Sequence, residues 1–124
     1  MDIQKLAKMN ADPYALAHKY FQIISVINDL ELANGEVQLL AFTAVRGNIH
    51  NPDHREDYCK KYDTTLATIN NIVWRLKKKK IILKKDKEII VNPLLTQVHF
   101  DEDLVLEVSL TLSKKPTKEK NDSV

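Results

Sequence analysis

The chain has 124 residues, with 19 Lys and Arg against 17 Asp and Glu, for a net charge of +2. That length sets the expectation of one domain with a real but modest core. A single cysteine excludes an internal disulfide, and no apolar run approaches the roughly 20 residues of a membrane span. The opening MDIQKLAKMN lacks the apolar centre of a signal peptide, so a cytoplasmic protein with no membrane partner is expected.

Residues 1–11 are weakly patterned and read as a short helix or an arm. Asp12-Pro13 then marks a helix start, with Asp as N-cap and Pro at the first helical position. Leu16, Tyr20, Ile23, Ile27 and Leu30 follow at helical spacing, which predicts an amphipathic helix to about residue 28. Ala17, Phe21 and Ile24 widen the stripe. It either packs only on the core or also meets a second copy through Leu16, Tyr20, Phe21, Ile24 and Ile27.

Asn34 is the expected N-cap of the next helix, with Glu36 in its first turn near the positive dipole end. Val37, Leu40, Ala41, Ala44 and Val45 make its buried face, and Gly47 suits a left-handed C-terminal position. Pro52 helps to begin a helix over residues 53–62, with Tyr58 and Tyr62 turned inward. Thr65 caps a helix over residues 65–79. In it Ile69, Val73 and Leu76 recur at i, i+4 and i+7, with Ile72 beside them. The opposite face carries Thr65, Thr68, Asn70, Asn71, Arg75 and Lys78. Trp74 lies off the apolar stripe; it either caps the core beneath the segment over residues 81–91, as a lone Trp is expected to do, or stands half exposed at a partner surface.

Residues 81–85 and 88–91 flank Asp86-Lys87, the pattern of a tight hairpin. Residues 94–98 link to an acidic Asp101-Glu102-Asp103. Leu104, Leu106, Val108, Leu110 and Leu112 then alternate with Val105, Glu107, Ser109 and Thr111, which predicts a strand over residues 104–112. It is expected to extend the hairpin sheet or to pair with a second copy, with Leu106 at that contact, because an open apolar edge invites aggregation. Residues 113–124 read as a polar tail.

Charge is unevenly spread. Residues 75–87 hold eight Lys or Arg and one acid, whereas residues 101–112 hold four acids and no base. A concentrated basic segment on a weakly charged chain is the electrostatic footprint of a nucleic-acid partner.

Helix, turn, helix and basic hairpin is the order of a winged helix-turn-helix. Tyr58-Cys59 stands where bacterial members carry Leu-Ala, and Asp63-Thr64 takes the turn. Thr68-Ile69-Asn70-Asn71 is similar to their Thr-Val-Ser-Arg start. Leu76-Lys77-Lys78-Lys79-Lys80-Ile81-Ile82 resembles their exit into the wing, except that Lys80 replaces the usual Gly. Ile89-Ile90-Val91-Asn92-Pro93 resembles the wing end of plasmid and phage replication initiators. The resemblance covers roughly residues 30–95. It implies a mainly α fold with a small β wing (α+β). The domain would span residues 1–112, with a helical extension over 1–30, a core over 31–95 and a C-terminal strand.

The implied partner is double-stranded DNA. Thr65, Thr68, Asn70 and Asn71 would face the groove, where Asn can bond adenine bidentately. Arg75 and Lys78 would meet phosphate. Lys84, Lys85 and Lys87 would reach the neighbouring backbone or the minor groove. The expected roles are transcriptional regulator or replication-initiation factor of bacterial, plasmid or phage origin, acting as a homodimer. The alternative is a phage virion adaptor that uses the fold for protein contact.

No catalytic pattern competes with these readings. There is no Gly-rich phosphate loop and no G-x-S-x-G, so no enzyme and no cofactor are expected. His50, His54 and Cys59 are ligand types at close spacing, but Pro52 interrupts a helix between the two His, and no metal site is expected.

Overall fold

The computed structural model describes residues 2–9, 12–96, 99–101 and 103–115. Its elements, in chain order, are β1 (Asp2–Met9), α1 (Pro13–Ile27), α2 (Asn34–Arg46), α3 (Pro52–Tyr62), α4 (Leu66–Lys78), β2 (Ile82–Lys85), β3 (Glu88–Val91) and β4 (Leu106–Leu112). The fold is mainly helical with two small antiparallel sheets, β1 with β4 and β2 with β3.

Local chemistry sets the helix starts. Asp12 accepts a hydrogen bond from the Ala15 N–H at 3.0 Å, and Pro13 follows. Asn51 does the same for Asp53 and His54, ahead of Pro52. Thr65 accepts from the Thr68 N–H at 3.3 Å. Each cap satisfies donors that the first turn leaves free. The start of α2 differs from expectation by one residue. Asn34 is already helical, Ala33 holds the cap position, and the Glu36 carboxylate accepts the Ala33 N–H at 2.7 Å. A carboxylate reaching back from the first turn replaces the Asn cap.

The core is built around α2. Leu39, Leu40, Ala41, Phe42 and Thr43 are buried in succession, so the middle of this helix has no solvent face. From α1 come Leu16, Ala17 and Phe21, from α3 Tyr58, from α4 Ile69, Ile72, Val73 and Leu76, and from the hairpin Ile81, Ile82 and Ile89. Tyr58 packs edge-on to Phe42 at 5.1 Å, and its hydroxyl donates to Gln38 Oε1. Burial pushes its phenol well above the usual range.

The expected oligomer stripe is largely internal. Leu16 and Phe21 belong to the core, and Tyr20 donates its hydroxyl to the Leu95 carbonyl while edging Phe21 and Phe100. Ile24 is half-buried, and of the stripe only Ile27, 70% exposed, stands open beside Val26 at 81%. The reason is Phe100, which returns from the far end of the chain and covers what three helices leave uncovered.

Between α4 and β2 the chain turns at Lys80, which takes φ 60°. Ile81 N–H bonds to Leu76 O at 2.9 Å and Lys80 N–H to Lys77 O at 3.0 Å, the paired bonds of a Schellman ending. Leu76 and Ile81 are both buried, as that motif favours. Asn92 then closes the base of the hairpin through its side chain to Lys80 O and its N–H to Ile81 O. Lys84 pairs with Ile89 and Lys85 with Glu88, and Asp86 turns at φ 57°. The α2–α3 loop borders β3: Ile49 N–H donates to Ile89 O, and Ile89 N–H to Asn48 Oδ1. Gly47, which ends α2, has the expected positive φ of 90°, but its ψ of −166° lies outside the left-handed helical region. That conformation is essentially restricted to glycine.

The ends of the chain depart from expectation. The segment read as a short helix or arm is strand β1, and β4 pairs with it rather than extending the hairpin sheet. The two pair antiparallel, Asp2 with Leu112 through Met9 with Leu106, with a register shift between Lys5 and Ala7. The N-terminal segment thus covers one edge of this alternating strand from within the chain. Leu106 is half-buried against the core rather than open for a partner. Residues 116–124 of the expected tail lie outside the described residues, as do Glu102 and the end of the 94–98 link.

Leu76 is fully buried, so Leu76→Ala should cost about 2–5 kcal/mol in urea unfolding. Lys80→Gly should instead raise stability by about 1 kcal/mol, because a side chain in the left-handed region is strained. The same urea titration reads both variants.

Candidate nucleic-acid interface

Helix α4 turns roughly 100° per residue. The middle of its buried arc, formed by Ile69, Ile72, Val73 and Leu76, therefore lies nearly opposite Ala67, Asn71, Trp74 and Lys78. These four, at i, i+4, i+7 and i+11, run up the centre of the outward face, and all are exposed. Trp74 is 60% exposed rather than capping the core. The core positions on α4 are already filled, and no rotation of the helix buries Trp74 without exposing Leu76. Lys78 sets its ammonium 4.4 Å from the centre of the indole ring.

The other expected contact residues of α4 lie on its flanks and already have partners. Asn70 Oδ1 accepts from Arg55 Nη1 at 2.6 Å, and Arg55 Nε donates to Ile49 O at 2.7 Å. Arg55 thus ties α4 to the loop before α3. On the opposite flank Arg75 Nε meets Glu36 Oε2 at 3.3 Å, and Lys79 Nζ lies 3.6 Å from Glu36 Oε1. The Glu36 side chain is only 4% exposed, against 47% for Arg75. Thr65 and Thr68 share a hydroxyl contact at 3.1 Å at the helix start.

Among the described residues, the side chains of Asn71, Lys84, Lys85 and Lys87 make no hydrogen bond or ion pair, and all are exposed. Helix α4 itself carries no acid. The uncommitted donors therefore sit at the middle of α4 and along the hairpin, while Arg75 and Asn70 help to hold the helix in place. A cation already paired with a carboxylate offers less attraction to a second anion, so Arg75 is the weakest of the expected phosphate contacts.

Sequence reasoning missed Glu36, Arg55 and Trp74. Plotting α4 on a helical wheel would have found Trp74, since it falls opposite the apolar stripe. The sequence marks Glu36 only as a first-turn acid of α2 and does not mark Arg55, because their partners on α4 are distant in the chain.

A groove of about 610 Å³ runs between the first turns of α3 and α4, lined by His50, Pro52, Arg55, Cys59, Leu66 and Asn70. His54 sets Nδ1 2.8 Å from the Asn48 carbonyl, and Cys59 packs against the core. Among the described residues, no three His, Cys, Asp or Glu converge as a metal cluster would. No helix there is long and apolar enough to cross a membrane.

No protein-family model matches the chain, and no curated protein or solved structure is significantly similar to it.

Glu36 is the shared anchor of two α4 cations. Glu36→Gln keeps an acceptor for the Ala33 N–H but removes the charge. It should cost about 1–2 kcal/mol, a modest figure because both cations are half in water. Urea unfolding at low and high salt checks this, and the loss should shrink as salt screens the pair.

Proposed function

We propose that this protein is a non-enzymatic winged-helix protein that binds double-stranded DNA. It acts as a transcriptional regulator or a replication-initiation factor in a bacterial cell, on a plasmid or during phage infection. One observation carries the reading. The outward face of α4 has no acid, its central Asn71 and Lys78 are exposed, and a hairpin bearing three unpaired lysines follows at once. The order α2, α3, α4, β2, β3 supports the winged-helix assignment. So do the three-residue turn at Asp63 and the α2–α3 loop, whose Ile49 N–H bonds to Ile89 O of β3.

In this reading α4 enters the major groove. Asn71 presents an amide that matches the N6 and N7 edge of adenine. Lys78 meets phosphate, and Lys84, Lys85 and Lys87 follow the adjoining backbone. A second reading is favoured by the exposed Val26 and Ile27 at the end of α1, an apolar pair unlike a nucleic-acid surface. There the protein is a virion adaptor that docks on other proteins, and the same pair is where a second copy would meet it.

The lysines decide between the two. Replacing Lys84, Lys85 and Lys87 with Ala should weaken duplex binding and reduce its logarithmic salt slope by up to about 3, near 0.9 per lost phosphate contact. Fluorescence-polarisation titrations at several salt concentrations measure it. An unchanged slope removes the hairpin from the interface. Absence of duplex binding by the intact chain favours the adaptor.

A further inference from the structure

Trp74 is the chain's lone tryptophan. It stands in water at the centre of the outward face of α4, between Asn71 and Lys78. Folding gains little from it there, because the contacts that stabilise an indole come from burial. Its surroundings select a partner. No acid lies on α4, Lys78 holds one face of the ring, and lysines follow in the hairpin. An aromatic ring in cationic surroundings complements a base joined to a phosphate, not an apolar or basic protein surface.

A helix lying in the groove of an intact duplex meets only base edges. An indole uses its π-face fully only when a base leaves the stack. We propose that Trp74 is a base-stacking residue that receives an unpaired base on its indole. The preferred ligand is then DNA whose duplex is interrupted by an unpaired base, rather than a continuous duplex. With Lys78 over one face of the ring, the base takes the other, and the ammonium supplies positive charge beside the nucleotide. This inference rests on the reading of α4 as the DNA-facing helix and adds a substrate class to it.

The test uses the full chain and three probes of matched sequence: a short duplex, the same duplex with one extra unpaired thymine, and the single strand. Trp74 is its own reporter, since stacking on a base quenches indole emission. The expected result is stronger quenching and tighter binding with the interrupted duplex than with the continuous one. Trp74→Ala should weaken binding to the interrupted duplex about 5- to 100-fold while changing the continuous duplex by no more than about twofold. Trp74→Phe, which keeps a π-face, should recover much of the loss. Substitution at so exposed a site leaves the core intact, and thermal melts of each variant verify that.

If the two duplexes bind equally and Trp74→Ala weakens neither, stacking is overturned while the DNA reading stands. Equal weakening of both duplexes also overturns it, and makes Trp74 an edge contact. If no probe binds the intact chain, the DNA reading falls and stacking falls with it. Emission that shifts with protein concentration but with no probe assigns the ring to a protein contact and overturns the proposal.

Discussion

Helix α2 has no solvent side along its middle, and the rest of the molecule depends on that constraint. Five successive buried residues need neighbours in every direction. Helix α1 covers one side, α3 and α4 two more, and the hairpin isoleucines with the Asn48–Ile49 loop close the remainder. Each covering element gives its apolar stripe to α2 and so has its opposite face fixed outward. The outward direction of Asn71, Trp74 and Lys78 is thus a consequence of how Ile69, Val73 and Leu76 meet the central helix.

Packing alone leaves a helix free to slide or roll by a fraction of a turn. Two polar clamps limit this for α4. Arg55 grips Asn70 near the helix start from the side of α3, and Glu36 grips Arg75 and Lys79 near its end from the side of α2. Glu36 is also the group that starts α2 by accepting the Ala33 N–H. One buried carboxylate therefore sets the start of one helix and the end of another. Such a group is kept buried only where several donors surround it. A rigidly aimed helix suits a role in which angular errors at a groove are costly.

The hairpin is aimed by the corner at Lys80. A lysine in the left-handed region is an unfavourable choice where glycine is strain-free. The corner persists because two Schellman bonds, the Leu76–Ile81 contact and Asn92 all require the same geometry. Strain held in this way is overdetermined by its surroundings. It also adds one more cation beside the proposed interface.

Features governed by residues within a turn or two of each other were legible in the sequence. The caps at Asp12 and Thr65, the stripe on α4 and the hairpin around Asp86-Lys87 all depend on such neighbours. Tertiary structure alone decided the rest, since the deciding partners are far apart in the chain. Glu36 and Arg75 are 39 residues apart, and Arg55 and Asn70 are 15 apart. β1 has almost no pattern of its own and is a strand because β4, at the other end of the chain, needs an edge partner. Whether the wide stripe on α1 packs only on the core or also meets a second copy is open in the sequence, and most of it is seen to be internal once Phe100 folds against Phe21. Trp74 is the reverse case: residue type alone predicts a buried indole, whereas its position opposite the apolar stripe of α4 already turns it outward. Periodicity fixes which residues share a face, but which faces are covered depends on every other element at once.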